Sequence, residues 1–158
     1  GRAASTAMEE GSMHISSPAF EDEGDIPQRY ACDGENVSPP LVLEDVPPEA
    51  VSLVLVMDDP DAPVGTWDHW VVYDIEPRSE IPEAVETMGT VGSNSWGDLG
   101  YGGPCPPKGD RPHVYHVRLT AVSSMLISPG PSATCVEIMR LAEPYRLEFV
   151  DLIRFYGR

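Results

Sequence analysis

Lysine is all but missing from this chain: Lys108 is its single ammonium group, and the other nine cations among 158 residues are arginines. Set against 26 aspartates and glutamates, this gives a formal net charge of −16. A field of that sign repels phosphate backbones and anionic lipid surfaces, so nucleic-acid binding and polybasic membrane docking are excluded as leading functions. Long hydrophobic runs are missing as well. No stretch approaches the roughly 18 apolar residues that span a bilayer, and the N-terminus lacks the basic-plus-apolar pattern of a secretory signal, so a cytoplasmic protein without integral membrane association is expected. Residues 1–12 read as a vector-derived remnant ahead of a native start at Met13, leaving one domain over 13–158. Cysteine is scarce: Cys32, Cys105 and Cys135 are odd in number and form no C-x-x-C pair. Zinc-finger, redox-motif and disulfide-framework readings lack support on that count, and free buried thiols are expected, with a Cys32–Cys105 bridge as the minor alternative because sequence does not measure their separation. Ser93 and Ser95 stand in no Gly-x-Ser-x-Gly elbow.

Proline and glycine, by contrast, are plentiful, with 17 and 14 residues that interrupt every potential long helix. The expected fold is therefore mainly β. A chain of this length can bury roughly two thirds of its unfolded surface around one core. The run Val51 to Met57 is apolar at nearly every position and rich in β-branched residues, which predicts a central strand covered on both faces. From Trp70 to Ile75 a second strand is expected, with Val71, Tyr73 and Ile75 on the side of His69 by the two-residue period. His113, Tyr115, Val117 and Leu119 form a similar inward row, with His116 and Arg118 opposite. Glu76 to Leu99 reads as a long functional or covering connection. Only the end of the chain reads as helix, over Ser132–Leu141 with Ser132 or Thr134 as cap, and again over Leu147–Phe155.

Two stiff segments carry the chemistry. Asp59-Pro60-Asp61-Ala62-Pro63 is closely followed by Trp67-Asp68-His69, and Gly102-Gly103-Pro104-Cys105-Pro106-Pro107 is followed by His113 and Tyr115. Proline fixes φ and glycine permits close backbone approach, so such loops hold a site in place. Carboxylates beside imidazoles raise the histidine pKa and fix its tautomer, suiting His69 and His113 to donate to a phosphoryl or carboxylate oxygen. Gly102 and Gly103 are expected to add free backbone N–H groups. The same two histidines and two aspartates could ligate a divalent metal, but no His-x-His or His-x-x-x-His pair is present and no metal or other cofactor is expected. Cys105 and His113 could be paired as a nucleophile and base, although the flanking prolines place the thiol at no helix N-terminus. His14 and His116 read as surface or structural residues.

DDPDAP, GTWDHWVVYDI and GYGGPCPPKGDRPHVYHVRLTAV, together with YACDGENVSPPL and FVDLIRFYGR, resemble the phosphatidylethanolamine-binding protein family in its bacterial and archaeal Raf-kinase-inhibitor-like branch. The resemblance implies a two-sheet antiparallel Greek-key β-sandwich with one or two short C-terminal helices and one small anion pocket. Carried over by motif, the ligand-binding residues are Asp59, Asp61, Pro63, Trp67, His69, Gly103, Pro104, Pro106, Pro107, His113 and Tyr115, with no catalytic residue. Ala62-Pro63 is a candidate cis bond. Homodimers are common among bacterial relatives. His113-Val114-Tyr115 departs from the family's usual His-Arg-Tyr while keeping its spacing, and kinase inhibition is not carried over because it rests on surfaces that short motifs do not define.

The leading expectation is a non-enzymatic, regulatory binding protein for a small phosphorylated or carboxylated ligand. In it His69 and His113 donate, Asp59 and Asp61 orient them, and Trp67 and Tyr115 form the wall. One alternative is a protein inhibitor of a protease or other enzyme acting through its surface. The other is a weak hydrolase using the same pocket.

Overall fold

Every residue of the strand Ser52–Asp59 is buried, because it runs through the middle of a five-stranded sheet and is covered on both faces. The computed structural model describes residues 12–126, 129–130 and 132–158. In chain order the strands are β1 (His14–Ser16), β2 (Leu41–Glu44), β3 (Ser52–Asp59), β4 (Trp67–Ile75), β5 (Glu80–Ile81), β6 (Thr90–Val91), β7 (His113–Val122) and β8 (Arg146–Tyr156), with one α-helix among the described residues, α1 (Cys135–Ala142), before β8 and single 3-10 turns at Gln28–Tyr30 and Glu143–Tyr145. β1, β2 and β5 make a small antiparallel sheet, and the large sheet runs β6-β4-β3-β7-β8. All of its named pairings are antiparallel as well.

The alternation of β3 explains why it is apolar at both parities. Leu53, Leu55 and Met57 point into the space between the sheets, where Leu41, Leu43, Trp70, Val117 and Leu119 meet them. Val54 and Val56 point the other way, onto Ile138 and Ala142 of α1 with Val71 and Tyr73 of β4. Each fully buried aliphatic side chain in these two layers contributes about 1.5–3 kcal/mol relative to exposure. The helix starts where its sequence provides a cap: the Thr134 hydroxyl accepts from the Glu137 N–H, and the Glu137 carboxylate accepts in return from the Thr134 N–H. Thr134, not Ser132, is therefore the cap. The first three residues of the expected 132–141 helix lie before its start.

The second expected helix, Leu147–Phe155, is instead most of β8. Its apolar residues satisfy a helical period only loosely, while Phe149, Val150, Ile153, Phe155 and Tyr156 are aromatic or β-branched and suit a pleated surface. Pairing with β7 from His113↔Tyr156 to Val122↔Arg146 decides the matter. Leu152 and Tyr156 turn inward, leaving Leu147, Phe149, Ile153 and Phe155 exposed in a row on the outer side. On that same outer face the side chains of His116 and Arg118 meet acids, with His116 Nδ1 2.8 Å from Asp151 Oδ2 and Arg118 donating to Asp58.

β3 and β7 are the strands that place the site. β3 ends at Asp59 beside the start of β4, while β7 begins at His113. No helix among the described residues is long and apolar enough to cross a membrane.

Candidate functional site

Asp59 uses both carboxylate oxygens. Oδ1 accepts from the backbone N–H of Asp61 at 2.8 Å, closing the turn after β3, and Oδ2 lies 2.7 Å from Nδ1 of His113. The two side chains are 4% and 7% exposed, so the pair is shielded from water and its attraction is correspondingly strong. His113 carries a second carboxylate on its other nitrogen, with Nε2 3.1 Å from Asp110 Oδ2. Burial alone would lower the pKa of His113, but the hydrogen bonds to Asp59 and Asp110 outweigh it and hold the ring above its ordinary value. Asp61 does not orient a histidine. It accepts from the backbone N–H of Val114 and so ties the loop after β3 to β7.

His69 is held differently from the expected carboxylate partnership. Its Nδ1 lies 2.8 Å from the carbonyl oxygen of Gly102 and 3.1 Å from that of Gly103. Burial lowers its pKa, and those carbonyls and the charge of Asp59 offset the effect only in part. The side also differs from a strict two-residue alternation. Between β3 and β4 the register shifts, with Met57 opposite Trp70 but Asp58 opposite Asp68, so His69 is an extra residue. Such a bulge re-aims a side chain. His69 therefore joins Trp70 on the inter-sheet side, its ring 5.4 Å from that of Tyr115, while Val71 and Tyr73 face α1.

The loop carrying those carbonyls is docked onto the segment 30–36. Tyr101 donates its hydroxyl to the Tyr30 carbonyl, the Cys32 N–H donates to Pro104 O, and the Gly103 N–H donates to Asn36 Oδ1. A Cβ on Gly103 would stand 2.0 Å from the Tyr30 oxygen, so only glycine fits there. The Gly102 N–H donates to His69 O. Neither glycine thus offers the free N–H expected from sequence. Cys32 and Cys105 are joined by a disulfide with Cα atoms 5.3 Å apart, which corrects the expectation of free thiols; the two loops converge from positions 73 residues apart, a proximity that spacing does not encode. Cys135 alone stays free, and burial raises its thiol pKa to about 12. With the sulfur of Cys105 in a disulfide, the Cys–His nucleophile has no thiolate.

These loops enclose a cavity of about 270 Å³. His69, His113 and Asp59 reach it from the strand ends, with Tyr115 between the two imidazoles. Pro63, Trp67, Pro106 and Pro107 supply mostly apolar walls. Gly103 and Pro104 are buried supports of the wall and do not line it, and Asp61 faces a neighbouring depression with Asp110 and Arg111. The Ala62–Pro63 bond is trans, as are all described peptide bonds. Two contributors escaped the sequence reading. Trp96 lines the cavity with its ring 5.1 Å from His69 and 5.4 Å from Trp67. It is placed by Asn94, whose side-chain oxygen accepts from the N–H groups of Trp96 and Asp98, a turn that Asn94-Ser95-Trp96-Gly97 advertises. Asp110 is the other. Among the described residues no cluster of three or more His, Cys, Asp or Glu side chains is arranged to hold a metal ion.

The family model described as phosphatidylethanolamine-binding protein matches residues 16–153. The chain belongs to the phosphatidylethanolamine-binding protein family. Relatives within it include a UPF0098 protein of Methanothermobacter thermautotrophicus, 45% identical over 154 residues and covering 92% of this chain and 99% of that one. A UPF0098 protein of Pyrococcus abyssi is 39% identical over 150 residues, covering 90% and 84%. Among solved structures, a putative phosphatidylethanolamine-binding protein homolog from Chlamydia trachomatis superposes with a TM-score of 0.87 at 34% identity, covering 94% of this chain and 99% of that one. The fold is also that of E. coli YbcL, with a TM-score of 0.85 at 24% identity over 94% and 99% of the two chains.

Proposed function

We propose that the cavity is a receptor for a small oxyanion, a phosphoryl or carboxylate group, and that the protein acts as a non-enzymatic, regulatory binding module. The observation that carries this reading is the convergence of His69 and His113 on one cavity, with both nitrogens of His113 against carboxylates that favour its cationic form. In a chain of net charge −16 an anion must be met locally. The His113 imidazolium would supply that charge; its Asp59 side is sealed, while Asp110 on its other nitrogen is 42% exposed at the neighbouring depression and can yield to an incoming oxygen. The apolar walls suit a short organic substituent and exclude water around the ion pair, strengthening it.

Titration calorimetry with inorganic phosphate and phosphorylethanolamine tests the reading. Binding that His113→Ala abolishes while the variant stays folded supports it, and equal affinity in the variant overturns it.

A cytoplasmic location would require the Cys32–Cys105 bridge to survive a reducing pool, which is rare outside hyperthermophiles; an oxidising compartment suits it better. The second reading, inhibition of an enzyme through the surface, draws on the exposed row of Leu147, Phe149, Ile153 and Phe155. Partner capture that persists after both pocket histidines are replaced would favour it.

A further inference from the structure

The strand β8 has a neighbour on one side only. It is an outer strand of the large sheet and is 11 residues long, whereas β6 at the opposite edge has 2. Phe155 fixes the direction of its backbone groups: the Phe155 C=O accepts from the Ile26 N–H and so points away from β7. Phe149, Asp151 and Ile153 share that parity and turn their N–H and C=O groups to the open edge. Among the described residues, neither Phe149 nor Asp151 finds a backbone partner there. Ile153 O is met by the guanidinium of the next residue, Arg154, at 2.8 Å.

Side chains of the same strand are unfinished too. Among the described residues, the buried side-chain polar atoms without a hydrogen-bond partner are Asp151 Oδ1 and Arg154 Nε, both on β8. Such atoms are rare in a completed structure. Leu147, Phe149, Ile153 and Phe155 stand exposed on the outer face, and a long edge strand with an apolar row is a template for another strand. The charges on the inner face, Glu148 and Arg154, are opposite in sign and lie symmetrically about Asp151. That symmetry makes the strand complementary to itself.

We infer that β8 pairs antiparallel with β8 of a second copy across a two-fold axis at Asp151, joining the two large sheets into one. In this register Phe149 of one copy faces Ile153 of the other, and Glu148 faces Arg154. The Phe149 N–H takes over Ile153 O of the second copy. The Arg154 guanidinium released there turns to Glu148, whose carboxylate holds the Met13 N–H at 3.2 Å. Asp151 meets its own copy at the axis, but each carboxylate is already answered within its chain by His116 Nδ1 at 2.8 Å and Arg118 Nη1 at 3.7 Å. Sliding the register by one step in one direction sets Arg146 against Arg154, like charge on like charge; sliding it in the other sets Phe149 against Phe155, whose C=O is taken by Ile26. With −16 on each chain, attraction between copies has to come from such local matching.

Sedimentation velocity of the full chain over a dilution series tests the pairing. The wild type should sediment as a dimer. Arg154→Glu opposes carboxylates at both ends of the contact and should weaken the dimer at least about tenfold, while Glu148→Arg combined with Arg154→Glu restores opposite signs and should recover it. A wild type that is monomeric throughout would overturn the inference and make the two inward charges guards of an unpaired edge. A dimer indifferent to Arg154→Glu, or a folded double variant that stays monomeric, would overturn it as well. Should the charge variants not fold, hydrogen exchange on the wild type decides: the Phe149 and Asp151 amides should be protected in the dimer and exchange faster on dilution, and fast exchange at both in a dimeric sample would place the contact elsewhere.

Discussion

Asp110 places a carboxylate oxygen 3.1 Å from Nε2 of His113, on the ring edge opposite Asp59. On the proposed reading, Asp110 caps the one nitrogen of His113 that an external oxyanion could reach. Asp110→Ala removes the competitor, so phosphate affinity should rise several-fold, with little change in stability because an exposed ionic contact of this kind contributes about 1 kcal/mol or less. Calorimetry on the variant checks it, and unchanged or weaker binding would mean that Asp110 does not stand in the ligand's way.

Breaking the buried pair has a larger effect. His113→Ala leaves Asp59 without its imidazole in a site where both side chains are nearly sealed, a loss of about 3 kcal/mol in a urea melt. The loss depends on pH. Since the folded pKa of His113 is raised, its stabilisation is complete below the unfolded value of about 6.5 and fades as pH rises through the folded value. His69, lowered by burial, works in reverse and destabilises the fold as pH falls below about 6.5. The gap between wild type and His113→Ala should therefore narrow on the alkaline side; a gap that widens there would reverse the assignment of the charged ring.

Much of this site was legible in the sequence because proline and glycine loops encode their own stiffness. DPDAP and the GGPCPP segment end where the reading placed them, around two histidines on strands of the same sheet. The central strand was equally plain, since β3 is apolar at every position from Leu53 to Met57, the stretch that the two layers share. What escaped depended on distance across the fold. The extra residue that re-aims His69 exists only in the pairing of β4 with β3, and the short gap between Cys32 and Cys105 exists only once Gly103 has docked on Tyr30. β8 carries enough apolar residues to imitate a helix face, and only its partner β7 decides between the two periods. Trp96 and Asp110 lay in loops whose side-chain directions no periodicity governs.

The disulfide makes a prediction in thiol chemistry. Of three cysteines only Cys135 is free, and its raised pKa makes it a poor nucleophile. A thiol-reactive dye should react slowly with the native chain, count one thiol after denaturation, and count three after reduction. Reduction should also lower stability by about 2–4 kcal/mol, given the 73-residue separation that the bridge closes. Three thiols in the unreduced denatured chain would show that no bridge forms.

Gly103→Ala tests whether the 101–105 loop is what holds His69. The added methyl would overlap the Tyr30 carbonyl at 2.0 Å and Asn36 Oδ1 at 2.6 Å, so the backbone must retreat. A stability loss of about 2 kcal/mol or more and weakened phosphate binding are expected together. Asn36→Ala, which removes the hydrogen bond to the Gly103 N–H at a position whose φ of 60° disfavours alanine, should cost more than the roughly 1 kcal/mol of that bond alone. Native affinity in Gly103→Ala would separate the loop from the site.

The most direct measurement is a titration of phosphate into protein labelled with ¹⁵N at its histidine rings, followed by imidazole nitrogen shifts. The Nε2 resonances of His69 and His113 should move together along one saturating curve while those of His14 and His116 stay fixed. Movement of neither ring, or of only one, would contradict a cavity in which both imidazoles meet the same anion.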